Sequence, residues 1–189
     1  MPKASLEKIV QYCDRILRTA EIGDYDGAVN GLQMQNSGAV TRIGAAVDGS
    51  LATVKLALAA KVDLLIVHHG FFWSRSHPWT GKKYELLKLL LENDVAVYSS
   101  HLPLDAHPKL GNNARLCAEL GLKNPKPFFF SHGQNIGLEI RTKISRDELA
   151  ERLSRVIGSK PLLIPGGAGI CQRIGIVTGG AGGDLKTAA

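Results

Sequence analysis

A chain of 189 residues, 44% hydrophobic and 21% charged, has the composition of an ordinary globular protein with enough length to bury a core. Its net charge of +6 comes from scattered Lys and Arg, and the longest cationic run is Lys82-Lys83, so a solvated surface is expected rather than a nucleic-acid stripe. Three distant cysteines without a CxxC, no visible signal peptide and no apolar run near the ~18 residues of a membrane span exclude a disulfide scaffold and a membrane protein, and place the expectation in the cytoplasm.

Ser5 can cap a helix to about Thr19, whose Leu6, Ile9, Val10, Cys13, Ile16 and Leu17 make one apolar stripe. Residues 23–38 are rich in Gly, Asn and Asp and read as a loop, either lining a site or simply connecting elements. Arg42 to Asp48 reads as a strand, Ser50 to Ala60 as a helix with Leu51, Val54, Leu58 and Leu56 inward, and Val62 to Val67 as a second strand. That order is the signature of a parallel pair. The second strand is apolar throughout, as expected when both faces are covered, and runs into His68-His69-Gly70.

An aromatic loop from Phe71 to Trp79 follows, able to roof a site or plug the end of the core. A helix over 82–93 leads to a strand over 95–100, which also ends in a histidine, His101. The segment from His101 to Pro108 carries Asp105, and its two prolines argue for a loop. Asn113 to Leu120 reads as a helix, 123–133 as a linker and 135–140 as a strand. Ser145-Arg146-Asp147-Glu148 is a capping box opening a helix to about Ile157, followed by a short strand over 161–164. Arg173 to Thr178 reads as a last strand before Gly179-Gly180-Ala181-Gly182-Gly183-Asp184, where a tight strand-to-helix turn is favoured over a phosphate cradle for want of a GxGxxG or P-loop spacing.

The fold class expected is α/β, with mixed sheets, flanking helices and two related α/β halves. Arg42-Ile43-Gly44 and Arg173-Ile174-Gly175 each open a strand that leads to a glycine-bearing turn, which suggests a repeat. The second copy stops at Ala189, so the second half is expected to be incomplete and the chain truncated. The domains expected are 1–125, holding the His-His strand, and 126–189, holding the linker, a strand-helix-strand insertion and the start of the second half.

Ligands in open α/β sheets bind at the C-terminal ends of strands, which places His68 and His69 at a metal site. Successive strand residues point to opposite faces. Either the backbone turns at Gly70 so that both rings reach one centre, or each ring holds a different ion of a pair. Imidazole and carboxylate suit zinc, iron, manganese or nickel without choosing among them. His77, His107 and His132 have no partner motif and are assigned surface roles.

Taken together, His68-His69-Gly70, His101-x-x-x-Asp105, Asn30-Gly31-Leu32-Gln33 and the glycine turn at 179–184 resemble the GTP cyclohydrolase type-2 homologue family, the Ngg-interacting-factor-three-like proteins. The motifs occur in the family's order over residues 5 to 189. The resemblance implies two similar α/β halves flanking a cleft, a dinuclear divalent-metal centre and a toroidal homohexamer. It places His68 and His69 on metal-ligand positions and Asp105 on a bridging carboxylate, with His101 at or just outside the ligand shell. It also implies a further His and Glu from a C-terminal Gly-His-x-x-x-Glu-like segment that this sequence lacks. The activity expected is that of a metal-dependent hydrolase acting on a nucleotide-like or cyclic amide small molecule. The alternative is a non-catalytic metal-binding, metal-insertion or regulatory protein.

Overall fold

The computed structural model describes residues 3–73, 78–184 and 186. His77, assigned a surface role from its sequence, lies outside the described residues. The elements in order are β1 (Ala4–Ser5), α1 (Leu6–Leu17), β2 (Gly31–Met34), β3 (Ala39–Val40), β4 (Ile43–Asp48), α2 (Leu51–Ala59), β5 (Leu64–His69), α3 (Lys82–Glu92), β6 (Ala96–Ser99), α4 (Leu102–Asp105), α5 (Asn112–Glu119), β7 (Lys126–Ser131), β8 (Gln134–Ser145), α6 (Arg146–Ile157) and β9 (Ile170–Ile176). A single 3-10 turn covers Ala181–Gly183. The architecture is mixed α/β, as the sequence patterns require. No helix among the described residues is long and apolar enough to cross a membrane.

The chain forms two compact units, residues 1–104 and 105–189. In the first, a four-stranded sheet has the order β2-β6-β5-β4. β4, β5 and β6 are parallel, and β2 joins β6 antiparallel at one edge. Both faces of the central strands are covered. Val62, Leu65, Val67 and Val97 pack with Val54 of α2 and Leu86 and Leu90 of α3 on one side. Leu64, Ala96 and Tyr98 pack with Leu6 and the stripe of α1 on the other. That two-sided cover is why β5 reads as an uninterrupted apolar run.

One carboxylate ties the parallel pair together at its start. Asp63 Oδ2 accepts from the Thr41 hydroxyl and from the amides of Thr41 and Arg42, just before β4. The Thr41 hydroxyl bond, aided by the two amides and the Arg42 charge, outweighs burial and holds its carboxyl below the usual range. Stability drawn from a depressed carboxyl is present above the ordinary pKa of about 3.9 and is lost as the pH falls through the folded-state value. Asp63→Ala is therefore expected to cost about 1–3 kcal/mol at neutral pH, and the gap from the wild type should close on acidification below about pH 4. Urea melts across pH check this; a gap independent of pH would contradict it.

The second unit is an antiparallel sheet of order β7-β8-β9. α5 and α6 pack on it, with Cys117, Leu120, Ile140, Ile144, Ile174 and Ile176 at the centre. α5, assigned from sequence to the first half, thus has its apolar face in the second core, and the division falls after Leu104 rather than near 125.

Four local expectations are corrected. Gly31–Met34, read as loop, is a strand: Leu32 pairs with Tyr98 and packs into the core beside α1. Lys126–Ser131, read as linker, is edge strand β7, where Pro127 is tolerated. Pro103 sits in the first turn of α4, where a missing N–H costs nothing, so the segment after His101 is helical. Residues 161–164 are not a strand; with no neighbour to pair, Leu162 and Ile164 are 89% and 78% exposed.

Candidate metal centre

The C-terminal edge of the parallel strands gathers three imidazoles. His68 and His69 are the last residues of β5, and His101 lies two residues beyond β6. The register of the two strands, with Val67 opposite Ser99, puts all three at one edge of the sheet. Ring centroids are 4.7 Å apart for His68 and His69, 4.9 Å for His68 and His101, and 5.6 Å for His69 and His101. One ligand nitrogen from each ring falls within 4.8 Å of the others, the spacing of groups that could share an ion.

Each ring is also held from behind through the same atom. His68 Nδ1 donates to the Ser100 carbonyl at 2.9 Å, His69 Nδ1 to the Asp48 carboxylate at 2.6 Å, and His101 Nδ1 to the Asp24 carboxylate at 2.8 Å. Carbonyl and carboxylate oxygens accept, so the proton belongs on Nδ1 in all three rings and Nε2 is the nitrogen each can offer. Outer partners of this kind fix tautomer and ring direction and raise ligand basicity in metal sites.

The supports are unequal. Asp48 is well exposed beside a half-exposed His69. Asp24 is 5% exposed against a His101 that is 13% exposed. Asp24 also accepts from the Tyr25 and Leu102 amides and the Asn30 side chain. Burial pushes its carboxyl up, but the bonds from His101, Asn30 and the two amides together outweigh this and hold it below its ordinary value. Asn30 completes the frame, its Oδ1 accepting from the His101 amide at 2.7 Å.

Trp73 closes the centre on another side. Its ring lies edge-to-face with His101 at 4.7 Å and with His69 at 5.5 Å, while its indole N–H donates to the Gly70 carbonyl. Trp73 is thus drawn onto the histidines, while Phe71 packs against the core of the first unit. Sequence reasoning did not single out Asp24, Asp48 or Trp73. Asp24 stands 77 positions from its ring partner and looks like a turn residue.

Asp105 belongs to the second unit. It is 7% exposed and accepts from Asn112 Nδ2 at 2.7 Å. His107 accepts the amides of Lys109 and Leu110 at Nδ1 and so shapes a turn, and His132 is exposed.

Both the sequence and the fold have known relatives. The model of the family described as Duf34/NIF3 (NGG1p interacting factor 3) matches residues 4–189. A Deinococcus radiodurans protein named GTP cyclohydrolase 1 type 2 homolog is 36% identical over 186 residues, covering 97% of this chain and 70% of the relative. A Haemophilus influenzae protein of the same name is 36% identical over 185 residues, covering 96% of this chain and 73% of that one. The crystal structure of TTHA1606 from Thermus thermophilus superposes with a TM-score of 0.87 at 34% identity, over 97% of this chain and 74% of that one.

Proposed function

The chain belongs to the Duf34/NIF3 family, and on that premise we propose that it is a divalent-metal-binding protein whose histidine cluster serves a metal-dependent hydrolase. The observation that carries the reading is the common orientation of His68, His69 and His101, each with Nδ1 held by a backbone or carboxylate oxygen. Three neutral imidazoles at this spacing fit zinc, iron, manganese or nickel. Asp105 enters the proposal as a carboxylate ligand on the strength of the family motif alone, and the count of two ions and the ring-shaped homohexamer rest on the same resemblance.

Bound ions would supply Lewis acidity toward a carbonyl or phosphoryl oxygen and would lower the pKa of a water. The protein's own part is to hold His68, His69 and His101 with their Nε2 atoms as donors and to keep an aromatic wall, Trp73, against two of the rings. The relatives are named for GTP cyclohydrolase, and we take a nucleotide-like or cyclic amide small molecule as the substrate class to test.

Chelator-stripped protein reloaded with each metal tests the reading. Metal at about 100 times its Kd should stabilise the fold by about 2.7 kcal/mol and raise Tm by about 5–10 °C. Hydrolysis of a panel of nucleotides, phosphoesters and cyclic amides should appear only after reloading. Activity equal in stripped and loaded protein would sink the hydrolase reading. Tight metal binding without any turnover would leave the non-catalytic alternative, a metal-insertion or regulatory protein.

A further inference from the structure

The motif Asn30-Gly31-Leu32-Gln33 is only half explained by the cluster, since Asn30 frames His101 while the Gln33 side chain bonds to backbone groups of Val29 and Phe71. We propose that Gln33 is the positioning residue of the centre: its side-chain amide clamps the exit of β5 and thereby sets Trp73 against His69 and His101. For its metal-affinity arm the inference rests on the metal reading above.

The amide is used at both ends. Gln33 Oε1 accepts from the Phe71 amide at 2.7 Å, and Gln33 Nε2 donates to the Val29 carbonyl at 2.6 Å. One bond holds the chain immediately after His68-His69-Gly70; the other holds the segment that carries Asn30. The backbone adds further links between the same two stretches, from the Val29 amide to the Phe72 carbonyl at 3.3 Å and through a bridge between Ala28 and Trp73. Gln33 is the side chain that joins them, and a primary amide has the donor and the acceptor this requires.

Gly70 is the complement of that amide. A Cβ built on Gly70 would overlap the Nε2, Oε1 and Cδ atoms of Gln33. The glycine therefore serves close approach rather than an unusual backbone angle, a correction to its expected role as the turn that lets both imidazoles reach one centre. From the clamp, position passes outward by contact. The Phe71 ring lies against Gly49, next to the Asp48 that orients His69. The Gly70 carbonyl takes the indole N–H of Trp73.

The test uses the full chain with Trp79→Phe, so that Trp73 is the one remaining tryptophan. Into this background go Gln33→Leu, which loses both bonds, and Gln33→Glu, which keeps the acceptor and loses the donor. Trp73 emission and its quenching by Ni(II) are read beside Co(II) affinity from chelator competition. The result expected is red-shifted emission, weaker quenching per bound ion and an affinity lower by about tenfold, the lower end of what loss of a supporting partner costs. Gln33→Glu should fall between wild type and Gln33→Leu. Unchanged emission and affinity in Gln33→Leu would overturn the proposal.

A second cycle guards against a variant that fails to fold. Gly70→Ala should reproduce the emission change when Gln33 is present and add nothing in a Gln33→Ala background, where no amide remains to displace. Additive effects would count against the clamp. Should the parent chain bind no metal at all, the metal reading fails, while Trp73 emission and the Gly70 cycle still decide the role of Gln33.

Discussion

A chain carrying both His68→Ala and His101→Ala is expected to lose stoichiometric zinc uptake, while Asp24→Asn keeps all three rings and loses about 10–100-fold in affinity. The first change leaves a single imidazole, His69, whose support at Asp48 is open to solvent. The second leaves the ligand set intact but replaces the charged acceptor of the His101 Nδ1 proton. Asp24 is the support with most at stake because it is buried and meets four donors from one position. A hydrogen bond to an ionised group is about twice as strong as a neutral one, so the amide cannot replace it fully. Asp48→Asn, at an exposed site, should change affinity far less than Asp24→Asn. Isothermal titration with zinc distinguishes these cases. Equal affinities for the Asp24 and Asp48 variants would show that the buried support does not tune the ligands.

Asn113→Leu is expected to be the most damaging single change in the second unit, costing about 2–5 kcal/mol from one buried and one part-buried backbone group left without partners. Asn113 is 2% exposed on α5. Its Nδ2 donates to the Ile136 carbonyl of β8 at 2.6 Å, and its Oδ1 accepts the Thr178 amide, two residues beyond β9, at 2.6 Å. A weaker bond of 3.4 Å reaches the Asp105 carbonyl. Leucine keeps the branching and the number of side-chain heavy atoms but can neither donate nor accept, so the lost bonds are not masked by a cavity. Total stabilities of domains are about 5–15 kcal/mol, so this change alone approaches unfolding. Urea denaturation measures it, and a loss under about 1 kcal/mol would mean that water replaces the amide.

What could be read in advance divides by the reach of the forces involved. β5 and β6 were legible because a parallel strand covered on both faces writes a continuous apolar run, whereas β4, an edge strand with Ile43 and Val47 exposed, was legible from its place before α2 in a strand-helix-strand order. The caps at Ser5 and Ser145 were legible because each acts within three residues of itself. β2 and β7 were hidden by their Gly, Asn and Pro content, which edge positions tolerate and local rules assign to turns. The run at 161–164 misled in the opposite direction, since branched side chains make a strand only where a partner strand exists.

In the cluster, the strand-end rule found His68, His69 and His101. It could not find their supports. Asp24 and Asp48 are bound to their rings through tertiary pairing across 77 and 21 positions, and neither spacing has a motif. Gln33 was visible as part of a motif, but its use as a two-ended amide depends on the backbone of Gly70 and Phe71 lying beside it.

The register that sets Val67 beside Ser99 also fixes when the cluster can come into being. Before that pairing, the nascent chain offers only the neighbours His68 and His69; His101 emerges later, after α3 has crossed the sheet. A cation meeting the half-made polypeptide would find two of the three imidazoles without the pairing that aims them. An ion held by all three rings would therefore be taken up only after β5 and β6 have paired.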